Sequence, residues 1–460
     1  METNKTNRRD FFKSSAAGVM GAIAVPSLLS GCSSAPTKEN TVKKDVFIPE
    51  IYDRIPEGKP LKAGVIGCGN RGSGAAVNFL DAGDGVQNHG LQITALGDVF
   101  PEYVVACQGT LKARGNEVPD ANCFVGFDAY KQVIDSGVDL VILAAPPLFR
   151  PLHFDYAVTK GKHVFMEKPA AVCPTGIRQV LLTSKKATQM GLSIVTGTAL
   201  RSSKTVVDIY RKVAEGAIGE IISAQVSRLG GALWYKQRDP KWSDMEYLIR
   251  NWVSFCRGSG DFIVEQFVHE IDLMAMFLGE KLPVKAEATG GRQRRQTGDQ
   301  YDQFSVVYEY DNGMRTHCVS RQIAGCGNKN CVNIYGTKGY ADPRGKNKIF
   351  NLDGSVMWEP SKQSEEESER LKTHDLMVQE HVRLIHAIRT DNPINEADIL
   401  AHSTLMAIMG RESAYTGKFI TWDEIMASPQ NLLLDKYEFG PIPGFNEEVP
   451  LPGQTTTPRA

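Results

Sequence analysis

The sequence predicts an α/β chain in two parts, a doubly wound parallel sheet followed by an α+β region with a large, mainly antiparallel open sheet. Three observations carry this. Short apolar runs alternate with helical patterns from residue 61 to about 199. A glycine-rich turn, Gly67-Cys68-Gly69-Asn70-Arg71-Gly72, stands between the first run and the first helix. From residue 200 to about 425, runs rich in β-branched and aromatic residues follow one another instead. At 460 residues the chain is too long for one small core.

The first 32 residues read as a processing signal rather than as fold. Asn7-Arg8-Arg9-Asp10-Phe11-Phe12-Lys13 matches the twin-arginine export pattern. An Ala- and Gly-rich run from Ser14 to Leu29 follows, broken by Pro26 and too short to span a bilayer. It ends in Leu29-Ser30-Gly31-Cys32, a lipobox in which the Cys32 thiol is the acylation site. Ser33 rather than Asp follows, which favours an outer-membrane anchor facing the periplasm. Residues 33–60 are polar with Pro and Lys and read as a tether. The twin-arginine route carries folded proteins, so a cofactor loaded in the cytoplasm would have to be retained.

Leu61 to Ile66 reads as a buried strand, and Ala75 to Leu80 as the helix beyond the glycine turn. Gly67 makes the turn, Gly69 lets backbone approach a pyrophosphate, and Gly72 lets helix pack on strand; Asn70 and Arg71 complete the turn. The bare N–H groups of the helix start then face the phosphates. Leu91 to Leu96 is the next strand, ending in Gly97-Asp98. A carboxylate there accepts from ribose hydroxyls and repels a 2′-phosphate, and Val99-Phe100-Pro101 supplies no cation, so NAD is expected rather than NADP. The context is that of a Rossmann dinucleotide domain over residues 61–199. Val138 to Ala144 is a strand running into Ala145-Pro146-Pro147, and Pro151 to Lys160 a helix. His163 to Met166 is a strand running into Glu167-Lys168-Pro169. Ile177 to Met190 is a helix and Leu192 to Thr196 a strand. Ligands sit at the carboxyl ends of such strands, which places Pro146, Glu167 and Lys168 beside the cofactor.

In the second half, Ile221 to Arg228, Val284 to Ala288, Phe304 to Tyr310, Met314 to Arg321 and Cys331 to Tyr335 read as strands, with a hairpin signal at Asp311-Asn312-Gly313. Trp234, Tyr235, Arg250 and Trp252 are candidate saccharide contacts, since sugar C–H faces stack on indole; core packing is the competing reading. Ser361 to Arg370 is a charge run expected as a solvated loop. His374 to Arg389 and Asp398 to Tyr415 are helical patterns that could pack back on the first domain, and residues 426–460 read as a tail. The net charge of −1 gives no footprint for nucleic acid. Beyond Cys32, eight cysteines remain at irregular spacing and read mainly as buried free thiols; Cys326 and Cys331 have no second pair at zinc-site spacing, and no metal is assigned.

A glycine-rich strand–helix unit, a strand ending in Glu167-Lys168-Pro169, and Glu265-Gln266-Phe267-Val268-His269-Glu270-Ile271-Asp272 together resemble the Gfo/Idh/MocA oxidoreductase family. The likeness runs over nearly the whole chain after the tether, into Ile394 to Lys418. It implies that Lys168, Glu265 and His269 surround the substrate carbon, with Asp272 nearby. It also implies self-association through the open sheet face. The chain carries Glu265 where the family usually has Asp.

The chemistry asks for these residue types independently. Oxidising an alcohol needs a base, for which His269 is suited, and a donor to the oxygen, for which Lys168 is suited. Glu265 and His269 at i, i+4 share a helix face. The expectation is an NAD-dependent oxidoreductase of a sugar, glycoside or polyol with a recycled cofactor. The alternatives are a redox-neutral glycosidase or epimerase working through a transient keto-sugar, and a non-catalytic sugar- or NAD-binding protein.

Overall fold

The computed structural model describes residues 47–83 and 89–454. The export signal at Arg8-Arg9 and the acylation site Cys32 lie outside the described residues.

The first half alternates strand and helix in the order β1 (Leu61–Ile66), α1 (Asn70–Asp81), β2 (Leu91–Asp98), α2 (Pro101–Lys112), β3 (Cys123–Val125), α3 (Ala129–Asp135), β4 (Leu140–Leu143), α4 (Arg150–Thr159), β5 (His163–Met166), α5 (Pro174–Gln189) and β6 (Ile194–Thr196). All six strands are parallel, in the order β3-β2-β1-β4-β5-β6. The central strands are apolar on both faces because helices cover both; β4 is buried at every position. The order reverses at β1/β4, which opens a crevice at their carboxyl ends.

The second half begins with α6 (Lys204–Ala214), β7 (Ile221–Gly230) and α7 (Asp244–Arg250). Two single-turn helices, α8 (Cys256–Ser259) and α9 (Phe262–Glu265), lead into α10 (Val268–Phe277). The strands β8 (Lys285–Gly291), β9 (Gln303–Glu309), β10 (Arg315–Gln322), β11 (Lys329–Gly336), β12 (Gly339–Asp342), β13 (Lys348–Asn351) and β14 (Val356–Trp358) follow. The chain closes with α11 (Lys362–Arg370), α12 (Leu376–Arg389), α13 (Ala397–Thr416), β15 (Ile420–Thr421) and α14 (Trp422–Ala427). The nine-stranded sheet has the order β14-β13-β12-β11-β7-β10-β9-β8-β15. Only β7 and β10 pair in parallel. Burial alternates along β10, so one face is covered and the other open. The β9–β10 turn is the expected Asp311-Asn312-Gly313 hairpin, with Gly313 at φ +78°. The covered face packs on α13, a helix buried on nearly every side; at Gly410 an added Cβ would lie 3.0 Å from Val306, so β9 approaches the helix backbone.

Three segments differ from the reading of the sequence. Residues 362–370 form a helix rather than a loop, because a Glu-rich run has good helix propensity even without an apolar face. Residues 47–60 are not free: Tyr52 stacks on His386 with ring centroids 3.7 Å apart, Ile55 is buried, and Arg389 donates to the Pro56 carbonyl. Residues 428–454, within the expected tail, lie against the body, with Leu432 and Ile442 buried and Tyr301 donating to the Pro450 carbonyl at 2.9 Å. All eight described cysteines are free thiols. No described helix is long and apolar enough to cross a membrane.

Candidate active site

The glycine turn is built as its spacing requires. Gly67 sits at φ +92°, and an added Cβ would meet Ala145 N at 2.3 Å. At Gly72 an added Cβ would lie 1.7 Å from the Gly67 carbonyl oxygen, so helix and strand touch there. At Gly69 it would meet nothing within 4 Å. Gly69 is also the N-cap of α1 and gives no side-chain cap, which leaves the first-turn N–H groups available to an anion. A groove of about 460 Å³ runs past Cys68, Gly69, Asn70 and Tyr103. Open space beside Gly69 and uncapped amides in front of it fit a dinucleotide pyrophosphate.

Asp98 ends β2 and braces this turn. Its Oδ2 accepts from the Cys68 N–H at 2.7 Å and its Oδ1 from the Phe100 N–H at 2.9 Å. Burial pushes its pKa up to about 6, while those amides pull it back. With the amides of Cys68, Val99 and Phe100 on its four lone pairs, the carboxylate keeps capacity for a ribose hydroxyl.

At the carboxyl ends of β4 and β5 lies a cavity of about 270 Å³, lined among others by Arg71, Ala145, Glu167, Lys168, Glu265 and His269. The Lys168–Pro169 peptide bond is cis. Lys168 Nζ donates to Glu265 Oε1 at 2.7 Å and to the Glu265 carbonyl, and the Gln266 side chain donates to Glu265 Oε2. Glu265 ends α9 and His269 lies in the first turn of α10, with Gln266 and Phe267 between; the helix is broken there, yet both side chains still line the cavity. Burial holds the His269 pKa well below the ordinary value, and Lys168 and Arg228 add repulsion. The imidazole is therefore neutral near pH 7 and able to accept a proton. Glu167 binds Arg71 of the glycine turn and so ties the two strand ends together. An added Cβ on Gly197 would lie 2.6 Å from Glu167 Oε2, so that glycine makes room for the carboxylate.

Several expected residues stand elsewhere. Asp272 does not line this cavity: it is 1% exposed and holds Arg201 at 2.7 and 3.0 Å while accepting from Ser403 at 2.7 Å. A buried guanidinium needs that counter-ion, which makes Asp272 a structural partner. Pro147 rather than Pro146 borders the cavity, one step further round the strand-end turn. Arg250 stacks on Phe100 with its guanidinium carbon 3.8 Å from the ring centre, and pairs with Glu102 and Glu246. Trp234 and Tyr235 are 50% and 57% exposed and do not reach the cavity, whereas Trp252 lines it. Arg150, Gly197 and Met377 also line it, and Glu380 of α12 stands 3.7 Å from Arg71. Arg150 carried only a weak signal, three residues past the strand-end proline pair; Glu380 carried none. A larger hollow beside Arg114 and Lys372 lies away from the strand ends, and both cations are paired with Asp81. Among the described residues no group of three or more His, Cys, Asp or Glu could hold a metal ion.

Residues 61–194 match the oxidoreductase family with an NAD-binding Rossmann fold, and residues 206–342 match the GFO/IDH/MocA C-terminal domain. A glycosyl hydrolase family 109 protein from Shewanella pealeana is 24% identical over 241 residues, 52% of this chain and 49% of that protein. A glycosyl hydrolase family 109 protein from Bacteroides fragilis is 34% identical over 128 residues, 27% of this chain and 26% of that protein. The chain thus spans about half the length, or less, of these curated relatives. Among solved structures, scyllo-inositol dehydrogenase from Lactobacillus casei, with NAD(H) and scyllo-inositol bound, superposes with a TM-score of 0.58 at 20% identity, covering 79% of this chain and 99% of that one. A probable dehydrogenase from Thermotoga maritima gives a TM-score of 0.57 at 17% identity, covering 79% of this chain and 100% of that one. These last two likenesses concern the fold.

Proposed function

The chain belongs to the Gfo/Idh/MocA oxidoreductase family, with NAD as the cofactor of its first domain, and from that premise we propose that it moves hydride at a secondary alcohol of a saccharide or polyol. The observation that carries this reading is the Lys168–Glu265 pair at 2.7 Å, sharing one cavity with a neutral His269 beside the glycine turn.

Bound NAD would supply the hydride acceptor, held by the uncapped start of α1, by Gly69 and by Asp98. The chain supplies the rest. His269 takes the hydroxyl proton at a ring nitrogen as the C–H bond breaks. Lys168 Nζ donates to the same oxygen as it gains carbonyl character. Glu265 aims Lys168 and keeps its charge balanced between turnovers. Trp252 gives an apolar wall on which a ring can rest.

The proposal includes export and a lipid anchor, on the Arg8-Arg9 and Cys32 signals. A periplasm-facing enzyme has little free NAD to exchange, so the cofactor is retained and regenerated within the cycle or by a second saccharide. The family 109 relatives favour a second reading, in which a transient keto-sugar allows glycosidic cleavage and hydride then returns. The two readings part in one assay. Purified NAD-loaded protein is mixed with a panel of polyols, free sugars and nitrophenyl glycosides, and nicotinamide reduction and aglycone release are followed together. Net oxidation gives reduced cofactor without aglycone; redox-neutral cleavage gives aglycone without lasting reduction. In either case Lys168→Met should lower kcat about 100-fold or more. Full turnover by that variant would remove Lys168 from the reaction.

A further inference from the structure

Of the three Arg and Lys side chains that line the cavity beside Lys168, one makes no ion pair among the described residues. Arg71 is matched by Glu167, and Lys168 by Glu265. Glu380 also stands 3.7 Å from Arg71. That leaves Arg150, which lines the same cavity at 1% exposure. Its Nη1 donates to the Leu143 carbonyl at 2.5 Å, its Nε has no hydrogen-bond partner, and no described carboxylate forms an ion pair with it. Glu167 helps to hold the guanidinium charged against the desolvation it suffers. A charge kept so far from water with no carboxylate in ion-pair contact is costly, and such a perturbed group in a cleft marks a candidate binding site.

We propose that this anion is a carboxylate of the substrate, so that the saccharide turned over is a uronic or aldonic acid unit rather than a neutral sugar. This rests on the reading given under Proposed function and names its substrate class. Arg150 is a single unpaired cation, which one carboxylate would match. Guanidinium and carboxylate are also matched in shape, each presenting two atoms to the other. The cavity, at about 270 Å³, suits one small ring, so the acid group and the reacting carbinol belong to the same residue.

The test uses the full-length protein carrying its NAD. Methyl glucuronoside and methyl galacturonoside are compared with methyl glucoside and methyl galactoside, with glucose 6-phosphate as a phosphate control. Reduction of the bound nicotinamide is read in a single turnover below saturation. The expected result is an acid-to-neutral rate ratio of at least tenfold in the native protein, falling at least tenfold in Arg150→Gln. Arg150→Lys keeps the charge but loses the fork, so it should give a partial loss and carries the test if Arg150→Gln does not fold. Neutral glycosides as fast as the acids, a ratio unchanged in the variants, or a faster phosphate sugar would each overturn the proposal. So would a variant that loses NAD while keeping its ratio, since Arg150 would then serve the cofactor. If no saccharide of either kind reduces the nicotinamide, the oxidoreductase reading fails first, an outcome distinct from equal rates.

Discussion

Replacing Gly69 with Ala separates the fold of the glycine turn from its use. The backbone there has φ −66° and ψ −172°, which alanine adopts without strain, and the new methyl would meet nothing within 4 Å. The folded protein should barely notice. Replacing glycine by alanine at an N-cap costs about 0.5–1 kcal/mol, and the stiffer unfolded chain returns about 0.4–1 kcal/mol. The two nearly cancel, so Tm of the cofactor-free protein should stay within about 2 °C of native. Binding should not be spared, because the methyl fills the space through which a pyrophosphate reaches the first amides of α1. Losing one charge-assisted hydrogen bond costs about 1.5–3 kcal/mol, which is about 10- to 150-fold in Kd. Calorimetric titration of NAD into stripped native and variant protein measures this directly, with differential scanning fluorimetry as the stability control. Gly72→Ala is the contrasting variant: its Cβ would lie 1.7 Å from a backbone oxygen, so stability itself should fall. An unchanged NAD affinity in Gly69→Ala would refute the placement of the cofactor across this turn.

Other consequences follow from the same geometry. His269 must be neutral to accept a proton, and its pKa is held below the ordinary histidine value. The acid limb of kcat/KM should therefore begin below about 6.5, and a limb at or above that pH would contradict its role as base. Asp272→Asn breaks the buried pair with Arg201 and should destabilise the fold by about 3 kcal/mol, as read by denaturant unfolding, while kcat per folded molecule stays within a few-fold of native. A large loss of kcat at unchanged stability would return Asp272 to the reaction.

The parts of this molecule that were legible in the sequence are those whose local chemistry allows one arrangement. Leu61–Ile66 and His163–Met166 have the bounds their apolar runs suggest, because glycine and proline turns punctuate them. The glycine turn was readable because each glycine there has a distinct mechanical role, and Lys168 because it stands at a strand end. Where partners come from distant segments the pattern carries less. Asp272 lies three residues after His269 and looks like a neighbour on its face, but Arg201, far away in the chain, claims it. Glu380 reaches the glycine turn from α12, which no local pattern could announce. The strands β12 to β14 are only three or four residues long, too short to show a period. Residues 47–60 read as part of a polar tether and residues 428–454 as part of a tail, yet a few apolar anchors, Ile55, Leu432 and Ile442, are enough to seat them.

The account depends most on a dinucleotide that the protein keeps. The direct measurement is to purify the protein from the cells that produce it without added cofactor, dialyse it, denature it, and identify what is released by mass spectrometry and absorbance. The account predicts stoichiometric NAD or NADH, with the redox state changing when a saccharide is added before denaturation. An empty protein, from which added NAD washes out, would contradict it.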